Sequence, residues 1–188
     1  MKKLLICILP LVALLFSTQL YAKEFVDAGK MKAKNIADEI TDLRSARAAS
    51  LLQSDKAVTP DIFKEVCGPV KKKAMAIAEK EGVKIRHAAI KNRNPLHAAS
   101  DEEKRFHALF ENGKKVDLWD ETTIDKKSFA RYVRPIFVEP ACLSCHGEKD
   151  KRPAFVKKKY PEDLAYGFKT GDLRGIIEVM IPVEKQGR

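Results

Sequence analysis

The chain of 188 residues lacks several features that would settle its class at once. It has no second Cys-x-x-Cys and no His-x-x-x-His, so a structural zinc site would lack its usual fourth ligand. It has no glycine-rich phosphate loop, which removes the simplest nucleotide-binding readings. It has no internal repeat, which excludes a solenoid. No apolar run reaches the roughly 20 residues that a spanning helix needs. Cysteine is scarce, at Cys7, Cys67, Cys142 and Cys145 only, and histidine is confined to His87, His97, His107 and His146.

What is present centres on Pro140-Ala141-Cys142-Leu143-Ser144-Cys145-His146-Gly147. Cys-x-x-Cys-His is the attachment pattern of a c-type haem. Cys142 and Cys145 would add to the two vinyl groups as thioethers. His146 follows at once and can reach the iron from the proximal side. One covalent haem c is therefore the expected cofactor. Two alternatives stand beside it. A redox disulfide expects a thioredoxin-like βαβ context, and zinc expects the missing fourth ligand.

Attachment of this kind belongs to exported chains, and the N-terminus fits export. Lys2 and Lys3 precede an apolar stretch from Leu4 to Phe16, broken at Pro10, and then a polar, small-ended segment closing at Ala22. This reads as a secretory signal peptide, residues 1–22, cleaved after Ala22. Leu20 occupies a place where a small residue is preferred, and the alternative is an uncleaved anchor. The expected location is the periplasm. Cleavage leaves 166 residues, 23–188, the size of a single domain with a real core.

The net charge is +10, or +8 once Lys2 and Lys3 are removed. In an exported chain this does not point to nucleic acid. A solvated basic surface is the plainer reading, with Lys71-Lys72-Lys73, Lys114-Lys115 and Lys157-Lys158-Lys159 as short runs. An acidic redox or signalling partner, or an anionic membrane surface, is the functional one.

Taken in order, residues from Asp27 to about Ala57 predict a long helix, with Met31, Ile36, Ile40, Leu43, Leu51 and Leu52 on one face. Thr59-Pro60-Asp61 starts a second helix, ending at Glu81-Gly82, with Phe63, Val66, Val70, Ala74 and Ile77 as its stripe. Pro69 predicts a kink or local opening. Val83 to Ala88 alternates as a strand. Ser100-Asp101-Glu102-Glu103 opens a short helix through Phe110. Residues 115–119 and 128–138 predict strands. In the second, Phe129, Arg131, Val133 and Pro135 face one way and Ala130, Tyr132, Arg134 and Ile136 the other. A short helix near Lys157, a turn region from Tyr166 to Asp172 and a last strand from Gly175 to Val183 follow. Helices first and strands afterwards predict an α+β fold, an antiparallel sheet packed on helices.

The sixth iron position decides the function. Met180 lies in an apolar strand pattern and suits a core. His87, His97 and His107 are further candidates. Cys67 has the stronger chemical case, since it is the odd thiol and Lys71, one turn on, would favour the thiolate. An open or histidine-filled position remains the alternative. Thiolate ligation would favour ferric iron and lower the potential. Arg93, Arg131 and Arg134 are candidate partners of the haem propionates.

The run from Arg131 to Gly147, together with Lys91-Asn92-Arg93-Asn94-Pro95, Tyr160 to Gly167 and Gly171 to Gly175, resembles a family of exported, PAS-like mono-haem c-type proteins of unknown function. The resemblance implies a PAS-like sheet with flanking helices. It implies axial ligation by the motif histidine, here His146, and by a cysteine on an upstream helix, here Cys67. Members also serve as sensory inputs of membrane kinases and cyclase-type proteins. No output domain follows Val183, so a free sensor of redox state or of a diatomic gas, or a single-electron module, is the expectation. The rivals are an ordinary small cytochrome c carrier and a haem peroxidase or reductase. The second would need His107 or His87 as its acid–base group.

Overall fold

The computed structural model describes residues 8–52, 58–113 and 117–183. Helix α1, Ile8–Ala49, begins earlier and stops sooner than its periodicity predicts. It closes in tight turns, with Leu51 and Leu52 N–H donating to Ala48 and Ala49 carbonyls and the Ser50 hydroxyl donating to Arg47 O at 2.7 Å. The predicted helix end at 53–57, the Lys114-Lys115 run and the first seven residues of the signal segment lie outside the described residues. The buried stripe of α1 is Ala33, Ile36, Ala37, Ile40 and Ala48, while Met31 and Leu52 are exposed.

Helix α2, Pro60–Glu81, is capped as its sequence predicts. The Thr59 hydroxyl accepts from Ile62 N–H, and Gly82 ends the helix in the left-handed region at φ 63°. Pro69 does not break it, although the Glu65 carbonyl is left without that N–H. Helix α3, Asp101–Glu111, carries a complete capping box between Ser100 and Glu103.

Four strands pair antiparallel: β1 Lys84–Ala88, β2 Leu118–Ile124, β3 Lys127–Phe137 and β4 Leu173–Pro182, in the order β1-β4-β3-β2. The last strand inserts between the first and third. This is the α+β, PAS-like sheet that the chain order predicts. The strand expected at 115–119 lies further on, because β2 and β3 form a hairpin over Asp125-Lys126, both at positive φ.

Both faces of the sheet are covered. Tyr132 and Ile136 of β3 and Ile177 and Val179 of β4 pack with Ala33, Ile36, Ala37 and Ile40 of α1 and Val70 and Ile77 of α2. Val133, Ile176, Ala88 and Leu118 pack with Phe110 of α3 on the other side. The expected alternation of β3 therefore holds. A third cluster, Val138, Ala165 and Phe168 with Cys142 and Leu143, sits at the end of β3, where the Cys-x-x-Cys-His run begins.

Candidate haem site

Phe137 ends β3, and the chain turns through a 3-10 segment, Pro140–Cys142, into helix α4, Leu143–His146. One short turn thus carries Cys142, Cys145 and His146. Cys145 is buried and Cys142 half-buried, and no disulfide joins them. Gly147 is needed here, since a Cβ would lie 2.7 Å from the Leu143 carbonyl oxygen. Helix α5, Ala154–Lys159, follows.

The segment 163–168 runs behind the motif and fixes it. Asp163 is the organiser. It accepts from Arg93 Nε at 3.2 Å, from Arg152 Nη1 at 2.6 Å and from the Ala165 N–H at 2.8 Å. Phe168 N–H donates to His146 O, and Gly167 N–H donates to Gly147 O. The Ala165 carbonyl then lies 2.8 Å from His146 Nδ1. A carbonyl only accepts, so at this shorter contact the Nδ1–H donates and the proton sits on Nδ1; Arg93 Nη2, 3.4 Å from the same nitrogen, then lies beside it without a hydrogen bond. That tautomer leaves Nε2 with its lone pair, the arrangement of a metal-ligating histidine held from behind. Burial, then Arg174 and Arg93, hold the imidazole well below its ordinary pKa, so it is neutral. The Phe168 ring meets the His146 ring edge-on at 6.2 Å.

Helix α2 supplies the opposite wall. Phe63 stands edge-on to Phe155 of α5 at 5.5 Å. Cys67 is one turn on, on the same face, and so is aimed across at the motif. Its thiol is close enough to Cys142, Arg44 and Arg93 to feel their charges. Burial pushes the thiol up, and Arg44 and then Arg93 pull it down. The expected cation, Lys71, is not among the groups that act on it. Lys71 acts instead on His97, which stacks on His87 with rings 6.2 Å apart and 10° from parallel.

Cys67 keeps solvent-accessible surface, yet burial is the first cause of its raised pKa. The same holds for Arg44, His87, His146 and Arg174. Each retains accessible surface, yet burial is the first cause of its shifted pKa. His87 Nε2 is buried there without a hydrogen-bond partner. Two thiols beside a neutral imidazole, a third thiol opposite, apolar walls from Val138 and Phe168 and a polar atom lacking its partner fit a haem. A separate depression of about 400 Å³, lined by Asn92, Lys149, Arg152, Asp163 and Tyr166, lies behind the Asp163 cluster and touches none of these ligand candidates.

The structure separates the remaining candidates. Met180 and His107 pack on the α3 side of the sheet, Met180 as a core residue and His107 against the Ala88 backbone. Of the three predicted arginines only Arg93 reaches the site, and it braces the motif, donating to Cys145 O at 2.6 Å. Arg131 points to the α3 face. There it donates to both oxygens of Glu102 and of Asp120 and stacks on Phe106. Arg134 points the other way and pairs with Asp38 of α1. Alternation along one strand puts the two on opposite faces, so they cannot serve one haem, and each is committed to carboxylates. Two site residues were missed, Arg44 and Arg174. For Arg44 a signal existed, since it sits four residues after Ile40 in the apolar stripe of α1.

The sheet order, the helices on both faces and the cysteine–histidine turn at the end of β3 define a PAS-like α+β protein with a Cys-x-x-Cys-His site. Residues 22–182 match the Tll0287-like family, described as Tll0287, and the chain belongs to it. A solved structure, that of the cyanobacterial haem protein Tll0287, is similar at 37% identity and a TM-score of 0.68, covering 86% of this chain and 98% of that one. No curated protein matches.

Proposed function

We propose that the chain is a haem protein whose single haem is of the c type, attached through Cys142 and Cys145, with His146 Nε2 and the Cys67 thiolate as axial ligands. The observation that carries this reading is the His146 Nδ1–H bond to Ala165 O, which turns Nε2 free and neutral beside two thiols. The similar cyanobacterial structure is titled a haem protein, and the family match spans the whole site.

Haem supplies a one-electron couple with two axial places. The residues decide how it is used. His146 is locked by Ala165, Phe168 and, through Asp163, by Arg93. Cys67 sits on a separate helix and has no such hydrogen bond among the described residues, so in this reading it is the exchangeable member of the pair. Arg44 and Arg93 favour its thiolate, and burial favours its thiol. A ligand set with one fixed and one exchangeable member suits a redox or diatomic-gas sensor more than a carrier. It acts as a module that passes a signal or an electron to a partner, not as an enzyme. Met180 on the far side of the sheet counts against the methionine-ligated carrier, and His107 there leaves His87 as the one histidine of the two that a peroxidase could use. The setting we propose is the periplasm, supported by the N-terminal basic, apolar and small-ended segment. An acidic partner or membrane surface would be drawn by the lysine runs.

The test is to mature the chain with haem c assembly proteins and record ferric and ferrous spectra of wild type and Cys67→Ser. A thiolate signature present in wild type and lost in the variant supports the reading. Identical spectra overturn Cys67 as ligand.

A further inference from the structure

The residues around the motif carry more positive charge than their carboxylates neutralise. Arg44 projects from α1 in the buried stripe, and α1 is pinned beside the motif at that level by the Ser45 hydroxyl, which donates to Glu139 at 2.5 Å. Arg44 has no carboxylate within ion-pair distance among the described residues. Neither has Arg174. Its guanidinium donates to Lys91 O at 3.1 Å and lies over the Phe168 ring at 5.4 Å, the ring that meets His146. The neighbouring Asp163 is already taken by Arg93 and Arg152.

A bulge aims Arg174 there. Phe137 pairs with Leu173 and Ile136 with Gly175, which leaves Arg174 as the extra residue of β4. Leu173 and Ile176 both pack on the α3 side. Three positions apart, they could not share a face in a regular strand. Arg174 and Gly175 are therefore both turned off that face, towards the motif. Gly175 also lets β1 come close, since a Cβ there would lie 2.6 Å from Ala88 O. Burial lowers the pKa of Arg44, and burial first, then repulsion from Arg93 and Arg44, push that of Arg174 down to about 10. Enclosed cations without a counter-charge are costly, and a group bringing two carboxylates would relieve both.

We propose that Arg44 and Arg174 hold the two propionate carboxylates of the haem, by charge-assisted hydrogen bonds from guanidiniums that the protein's own carboxylates leave unpaired. This rests on the haem reading above. It replaces Arg131 and Arg134 in that role and gives α1 a part in the site.

The experiment uses the full chain matured with haem labelled with carbon-13 at the propionate carboxyls. Intact mass and absorbance first establish attachment. Reduced-minus-oxidised infrared difference spectra and potential-against-pH curves are then compared for wild type, Arg44→Gln, Arg174→Gln and Arg44→Lys. Each Gln variant is expected to move a labelled carboxylate band, lower the potential and add a pH-dependent slope near neutrality. Arg44→Lys is expected to move the band, because the planar fork is lost, and to keep the wild-type slope. It also tests the assignment if the Gln variants fail to mature. Labelled bands and slopes that superpose on wild type in every variant that carries haem overturn the assignment while the haem reading stands. A wild-type chain that takes no haem overturns both.

Discussion

His146 and Cys67 differ in how the protein holds them. The imidazole is tied to Ala165 O at 2.8 Å, and its backbone to Phe168, whereas the Cys67 thiol is raised by burial against the pull of Arg44 and Arg93. If Cys67 is the axial ligand proposed, replacing it by Ser removes a thiolate, the donor that best stabilises ferric iron, and the reduction potential of the variant should rise. Spectroelectrochemical titration checks this, and an unchanged or lower potential would count against thiolate ligation. On the other face of the sheet, Glu178 is buried with one oxygen unpartnered. Burial first, and Glu103 second, push its carboxyl from 4.5 up to about 7 against the pull of Arg131 and Arg86. The folded value lies above the unfolded one, so the unfolded chain releases this proton first as pH rises. The stability it contributes is full below about 4.5, falls through the window up to about 7 and is then level, a loss on the order of 3 kcal/mol. Glu178→Gln should flatten that slope, giving a higher denaturant midpoint than wild type at pH 8. Parallel midpoint-against-pH curves would contradict it.

At the scale of elements, caps and close backbone approaches fix how α3, β1 and β4 sit. Ser100 and Glu103 satisfy two N–H groups of α3 reciprocally, and Glu103 also takes Arg86 of β1. Ser100→Ala should cost about 1 kcal/mol in chemical denaturation, with the haem spectrum unmoved, since α3 lies across the sheet from the site. Gly175→Ala should cost more, about 1–3 kcal/mol, because its Cβ meets backbone rather than a yielding side chain. It should also disturb the potential, because the bulge beside it aims Arg174. A Gly175→Ala protein as stable as wild type would mean that β1 and β4 move apart freely. Much at this scale was legible beforehand. Thr59, Gly82 and Ser100 mark their helix ends, and the alternation of β3 sorts its residues onto the right faces. The hairpin at Asp125-Lys126 was not legible, because neither residue is glycine or asparagine and only pairing with β3 holds them at positive φ. The bulge at Arg174 was equally hidden, since it arises from how two distant strands register.

In the whole molecule, the α+β class and the motif could be read from the chain, because order of elements and a five-residue spacing are local facts. Which arginines serve the site could not. Arg131 and Arg134 sit near the motif in sequence, yet pairing to β2 and β4 turns them into Glu102, Asp120 and Asp38. Arg44 and Arg174 are about a hundred and about thirty residues away from it and are brought in by α1 and by the last strand. The same closure puts Cys67 opposite the motif through Phe63 on Phe155, so α2 and α5 act as two jaws. Phe155→Ala should loosen α2, and with it the Cys67 ligand, before it loosens His146. Resonance Raman spectra of the ferric protein would then show a mixture of ligation states in the variant and one state in wild type. A single unchanged state would show that α2 is held without this contact.

The most direct test of the account is the intact mass and absorbance of the chain after export with haem c assembly proteins present. The account predicts the cleaved polypeptide plus one haem, retained in denaturant, with a Soret band. It also predicts that Cys142→Ala with Cys145→Ala abolishes that added mass. A bare polypeptide mass with no Soret band, from a folded and exported chain, would contradict it.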